Sequence, residues 1–271
     1  MNGRKMHSRI SRVFIVLGIV AFGAPASTRA DSTSIIAAHD NTTFQSNPSN
    51  SLGGGQAIFV GNNAQNSPRR GLISFDIASN IPTGATINSV QLMLFLIQVP
   101  GGAAPSPTIT LYRLSNDWGE GIAGNTSTGP NGVGQGFAAA DGDATWNARH
   151  FSATFPTLWT TPGGDFAATS SASAAIIGTT LNTPYTWGST PALVADVQSW
   201  LIDSTSNFGW ILKTDDETIA SNVRSFWSRE SARTGQSSFS PQLLVSYTPV
   251  PEPTSAILML FSALLIKRQR R

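Results

Sequence analysis

Seven tryptophans and a scatter of carboxylates are the residues of this 271-residue sequence with most to offer a ligand. An indole laid against the apolar face of a pyranose ring, with polar neighbours meeting the hydroxyls, is a general way to bind sugar. Trp200 and Trp210 fall on periodic apolar faces and read as core. Trp118 (NDWGEG), Trp146 (DATWNARH) and Trp159 (TLWTTPGGD) sit among turn residues and charges, and are the candidate sugar platforms. The competing role for each is to plug one end of a sandwich. Arg113 and Arg149 could meet an acidic sugar, or equally pair with nearby acids.

Oxygen ligands suggest calcium more readily than catalysis. Asp141-Gly142-Asp143 places two carboxylates at a glycine turn, and Asp40-Asn41 adds oxygens near the first strand. Asp40, Asp141 and Asp143 are therefore the candidate Ca2+ ligands. Their spacing is not that of an EF-hand, and turn-forming Asp and Asn side chains are the alternative reading. After residue 30 the histidines are His39 and His150, so HExxH is absent, as are GxSxG and phosphate-binding glycine loops. The chain has no cysteine, which excludes thiol catalysis and Cys-ligated metals. A glycosidase pair could be drawn from Asp117, Glu120, Asp141, Asp143, Asp215, Asp216 and Glu217, but Asp215-Asp216-Glu217 reads first as a solvated turn. A lyase would want a Tyr or His base beside cations, and Lys213 is the sole lysine between residues 31 and 250. The expectation is no catalytic residue and no certain cofactor.

Strands must position these residues. Gly71–Ile77 alternates, with Ile73, Phe75 and Ile77 on one face; Val90–Val99 is apolar on both faces, as in a strand covered on both sides. Ile109–Leu114 follows a Pro/Gly loop. Phe208, Trp210 and Leu212 share a face, and Leu243, Val245 and Tyr247 alternate with Leu244 and Ser246. One helix is expected: Thr190 caps it, Pro191 opens it, and Leu193, Val197, Trp200 and Leu201 form its apolar stripe. With Gly, Ser, Thr, Asn and Pro in the connections, the fold class is all-β: a jelly-roll-type antiparallel β-sandwich with one short helix.

Charge divides the chain into three. Residues 1–30 and 251–271 hold nine of the seventeen basic residues, leaving eight basic against fourteen acidic between them, a net charge of −6. That middle excludes a general nucleic-acid binder. The first segment has a basic stretch, an apolar run Val13–Phe22 and small residues, which describes a secretory signal peptide cleaved after Ala26 or Ala30. The last carries Pro251, Glu252 and Pro253, apolar Ala256–Ile266 and a Lys267–Arg271 basic cluster. The expected organisation is a signal peptide (1–30), one domain (31–248) and a sorting tail (249–271).

Two resemblances extend this reading. The tail resembles the PEP-CTERM sorting signal of exopolysaccharide-producing Gram-negative bacteria, which implies signal peptidase and exosortase as partners during export. It also implies only transient membrane contact and a cell-surface or extracellular-matrix destination. The middle, over about residues 36–248, resembles the DNRLRE domain, a secreted β-sandwich family with carbohydrate-binding relatives. The resemblance rests on HDNTTF from His39, RRGLISFDI from Arg69, IPTGATINSVQLML from Ile81 and LYRLSNDWGEG from Leu111. It continues with DATWNARHF from Asp143, WTTPGGDF from Trp159, ALVADVQSWL from Ala192, FGWILK from Phe208 and RSFWSRESA from Arg224. It implies a non-catalytic module associated with extracellular polysaccharide. A purely structural matrix protein is the alternative, expected to bury its tryptophans and have no groove. A polysaccharide-degrading enzyme, expected to converge carboxylates in a cleft, stands behind it.

Overall fold

The computed structural model describes residues 29–101, 105–131 and 133–250. The expected leader and the tail, with Pro251, Glu252 and Pro253, lie outside these residues, apart from Arg29, Ala30 and the first residues of the 249–271 segment. The alternating segments form strands that run, in chain order, as β1 (Asp31–Ile36), β2 (His39–Phe44), β3 (Asn50–Ser51), β4 (Ala57–Asn62) and β5 (Pro68–Ser74). Then come β6 (Thr86–Gln98), β7 (Thr108–Leu114), β8 (Phe137–Ala138), β9 (Ala148–His150) and β10 (Thr157–Leu158). The series ends with β11 (Phe166–Ala175), β12 (Pro184–Trp187), β13 (Trp210–Thr214), β14 (Arg224–Trp227) and β15 (Gln242–Thr248). Helix α1 spans Pro191–Ile202.

The long strands pair antiparallel in the order β1-β15-β6-β14-β4-β5-β13-β7-β11, with β12 on β6 and β2 on β5. Between β4 and β5 only Gly61↔Arg69 and Asn62↔Pro68 are paired, so the sheet turns a corner there and folds over itself as a sandwich. One layer holds β1, β15, β6 and β12; the other holds β2, β5, β13, β7 and β11. Val90, Leu92, Leu94 and Leu96 of β6, with Leu243 and Val245 of β15, meet Ile109, Leu111, Trp210 and Leu212 across the core. Each such side chain contributes roughly 1.5–3 kcal/mol through burial. Helix α1 presses Leu193, Val197 and Trp200 against this core. It starts where the sequence says: Thr190 Oγ1 accepts the Leu193 N–H at 3.0 Å, and Pro191 needs no N–H partner in the first turn.

Two strand expectations are corrected. The second face of β6 is covered only toward its C-terminal end: Gln91 is exposed and Met93 half-buried, whereas Phe95 and the buried Ile97 pack into a second cluster with Phe59, Trp227 and Phe239. Phe208 leaves the Trp210–Leu212 face because Gly209 turns the chain at φ 75°, where a Cβ would lie 2.1 Å from the Ile73 carbonyl oxygen. Instead Phe208 packs with Tyr112, Trp118 and Phe166 beside a small outer core of Leu72, Leu114, Ala144, Trp159 and Ile211. The segment between β7 and β11 folds over the outer face of that layer to build this core, which decides the fate of the candidate tryptophans.

Candidate functional site

Trp146 and Trp159 are buried, at 6% and 4% exposure, so neither offers an open face to a sugar. Burial obliges an indole N–H to find an acceptor, and Trp159 Nε1 donates to the Thr145 carbonyl at 2.9 Å. Trp146 lies under the Arg70 guanidinium, 4.7 Å from its ring centre, and Arg70 in turn donates to Glu217 at 2.8 and 2.6 Å. Trp118 is half-buried, donates to the Phe208 carbonyl at 2.8 Å and sets its edge against His39. The platform expectation is corrected for Trp146 and Trp159: the turn residues around them belong to loops that close over them. Trp159 lies in the outer core and Trp118 packs against it. The two candidate arginines are also engaged. Arg113 donates to Ser199 Oγ at 2.7 Å and lies 3.7 Å from Asp196, while Arg149 is paired with Asp117.

The candidate calcium ligands do not converge. Asp143 is fully buried, and its carboxylate accepts the N–H groups of Ile122, Ala123 and Ala140 at 2.9, 3.3 and 3.1 Å. It organises the turn at 119–124. Gly121 there has φ 75°, and a Cβ would lie 1.6 Å from Asp143 Oδ1. Asp141 is exposed, and Asp40 accepts the Arg229 N–H at 2.7 Å. Among the described residues no group of three His, Asp or Glu side chains could hold a metal ion.

A concavity with a largely apolar lining lies elsewhere, at the corner where β4 passes to β5. It has a volume of about 260 Å³. Phe59, Val99, Pro100 and Val223 supply apolar wall, and Asn63, Gln98, Ser221 and Ser225 supply polar groups. Side-chain amides hold the rim. Asn63 Oδ1 accepts the N–H groups of Gln65 and Ser67 at 3.0 and 2.9 Å, shaping a turn in which Asn66 takes φ 55°. Asn222 Oδ1 accepts the Asn62 N–H at 2.7 Å, and the Ser221 N–H donates to the Asn63 carbonyl at 3.0 Å.

Arg69 lines this groove at 3% exposure. Its Nε donates to the Gly134 carbonyl at 2.8 Å and its Nη1 to the Ser67 carbonyl at 2.9 Å. Nη2 has no protein acceptor, and no carboxylate pairs with the guanidinium, among the described residues. Burial pushes its pKa down from the ordinary arginine value. The guanidinium also lies 5.7 Å from the centre of the Phe44 ring, so among the described residues this desolvated cation is served by neutral carbonyls and an aromatic face, with no counter-charge.

Residues 32–148 match the model of carbohydrate-binding module family 96. The match runs from β1 to the start of β9 and includes Phe59, Asn63, Arg69, Gln98, Val99, Pro100 and Gly134 of the groove. Ser221, Val223 and Ser225 come from beyond the span matched to family 96. No curated protein matches the chain. Sequence reasoning missed the groove because its walls come from four separated segments. No local signal marks Arg69, because the pairing of Arg70 with Glu217, 147 residues away, is made only by the fold. A second residue passed over is Phe155, in the turn between β9 and β10, at 89% exposure.

Proposed function

We propose that this protein is a non-catalytic module that holds an acidic extracellular polysaccharide in the groove of Phe59 and Arg69. The observation that carries the reading is the buried Arg69 guanidinium, which lines the groove without an acid of its own among the described residues. A carboxylate or sulfate on a sugar would complete it, and a planar guanidinium suits such a group better than an ammonium would. In this reading the polar groups of Asn63, Gln98 and Ser221 would meet ring hydroxyls, and the half-buried Val99 and Pro100 would meet ring C–H faces. The match to a carbohydrate-binding family supports the ligand class. A purely structural matrix protein accounts for the buried tryptophans but not for a groove with an unpaired cation. The resemblance of the sequence stretches in residues 36–248 to the DNRLRE domain supports a polysaccharide-associated module. The basic–apolar–small leader and the Pro251-Glu252-Pro253 tail support export by signal peptidase and exosortase to the surface of a Gram-negative cell.

Calorimetric titration with a uronate-rich polysaccharide and a neutral one tests the binding reading. The uronate polymer should bind, and Arg69→Gln should weaken it at least tenfold while the melting temperature changes little, since the replaced charge was itself costly to bury. Equal affinity for the neutral polymer, or full affinity in Arg69→Gln, would overturn it.

A further inference from the structure

Five ionisable side chains meet where β2 passes the loop after β7 and the 3-10 helix Arg229–Thr234. They are His39, Asp40, Glu120, Arg229 and Glu230. Glu120 is fully engaged: Oε1 accepts the Asp40 N–H at 2.9 Å and Arg229 Nε at 2.5 Å. Its Oε2 accepts Arg229 Nη2 at 2.7 Å and lies 3.2 Å from His39 Nδ1. Arg229 Nε is also 3.1 Å from Glu230 Oε1, and the Arg229 N–H donates to Asp40 Oδ2. One guanidinium therefore serves two carboxylates, and the backbone of the same residue serves a third.

Two oxygens are left over. Asp40 Oδ1 and Glu230 Oε2 are both sealed from solvent, and neither has a hydrogen-bond partner among the described residues. Asp40 as a whole is 0% exposed. Two buried acceptors on two acids cannot satisfy each other, and both charges together would be repelled in a medium of low polarisability. Both acids are tied to Arg229, Asp40 through its backbone N–H and Glu230 through its guanidinium, and a proton on either would turn an orphaned oxygen into a donor and remove one negative charge. We propose that Asp40 and Glu230 share one proton at neutral pH, and that this proton locks the 3-10 helix Arg229–Thr234 onto β2.

The surrounding electrostatics agree. Burial, then the charge of Glu230, pushes the Asp40 carboxyl well above the usual range, with Glu120 adding to the rise and Arg229 opposing it. Burial likewise raises Glu230, against the pull of Arg229. Burial would raise Glu120 too, but hydrogen bonds from His39, Arg229 and the Asp40 N–H outweigh it and hold Glu120 below its ordinary value. The lock reaches further through the same short helix. Arg233 donates to the carbonyls of Asn125 and Gly54, and Ser228 Oγ donates to the Gly55 carbonyl at 2.7 Å.

The sign of the pH dependence follows. The folded pair retains a proton that the unfolded chain gives up above about pH 4, so the lock is complete below that pH. It weakens as pH rises through the raised pKa of the pair.

Thermal unfolding of the whole protein across about pH 4 to 9 tests this. Asp40→Asn keeps an oxygen for the Arg229 N–H and puts an amide N–H where the shared proton would lie; Glu230→Gln supplies the donor from the other side. Each should flatten the fall in melting temperature seen on the alkaline side. Carboxyl carbon-13 NMR of the unsubstituted protein should show one protonated carboxyl in the pair at pH 7, a readout that stands even if Asp40→Asn does not fold. The proposal is overturned if both carboxyl carbons titrate below about pH 5, or if the folded variants keep the original pH profile. It is also overturned if Ca2+ raises the melting temperature at pH 7 in a manner lost in Asp40→Asn, for then a cation takes the place of the proton.

Discussion

Trp159 and Phe155 stand four residues apart in one hairpin and have opposite environments. Trp159 is nearly sealed and hydrogen-bonded to Thr145, whereas Phe155 projects into solvent from a turn in which Ser152 Oγ accepts the N–H groups of Thr154 and Phe155. Trp159→Ala removes the largest member of the outer core and should destabilise the fold by roughly 3–5 kcal/mol, measured by denaturant unfolding. Phe155→Ala should leave that midpoint unchanged. A small effect of Trp159→Ala would mean that the outer core contributes little to stability. Residue roles were the least legible part of the sequence. Asp, Asn, Gly and Thr around a tryptophan look like surface, yet the same residues build the caps of loops that enclose a core, as Asp143 does. Arg69 and Arg70 are sequence neighbours on opposite faces of β5. Only the fold brings Glu217 to Arg70 and, among the described residues, brings no carboxylate to Arg69.

Elements were legible wherever their cause is local. Thr190, Pro191 and the Leu193–Val197–Trp200 spacing contain the whole signal for α1. The alternation of Leu243 and Val245 against Leu244 likewise marks β15, whose even positions face out. The corner at β4–β5 was not legible, because it depends on Asn62 and Asn63 meeting residues 221–223. β15 lies between β1 and β6, pairing with Asp31–Ile36 on one side and with Thr86–Met93 on the other. A chain ending at Gln236 should therefore lose two pairings at once, expose the edge of β6 and aggregate, as light scattering during refolding would reveal. If it folds as stably as the full chain, the two layers do not form one cooperative unit.

At the scale of the molecule, the acidic body and the basic ends belong to different tasks under the proposed reading. The intact mass of the protein recovered from the cell surface should lack both the leader and Lys267–Arg271, and a mass that retains that basic cluster would remove the sorting proposal. The pairing of Asp31 with Tyr247 has a consequence for how the body comes into being. The first strand of the sandwich has no partner until the last has been made. Contacts this distant in sequence close late and slowly, since the loop entropy of nearly the whole domain must be overcome before they form. Until its final strand arrives, β1 and the Thr86–Met93 edge of β6 stay open, so the N-terminal end of the body is the last part to become closed to other chains.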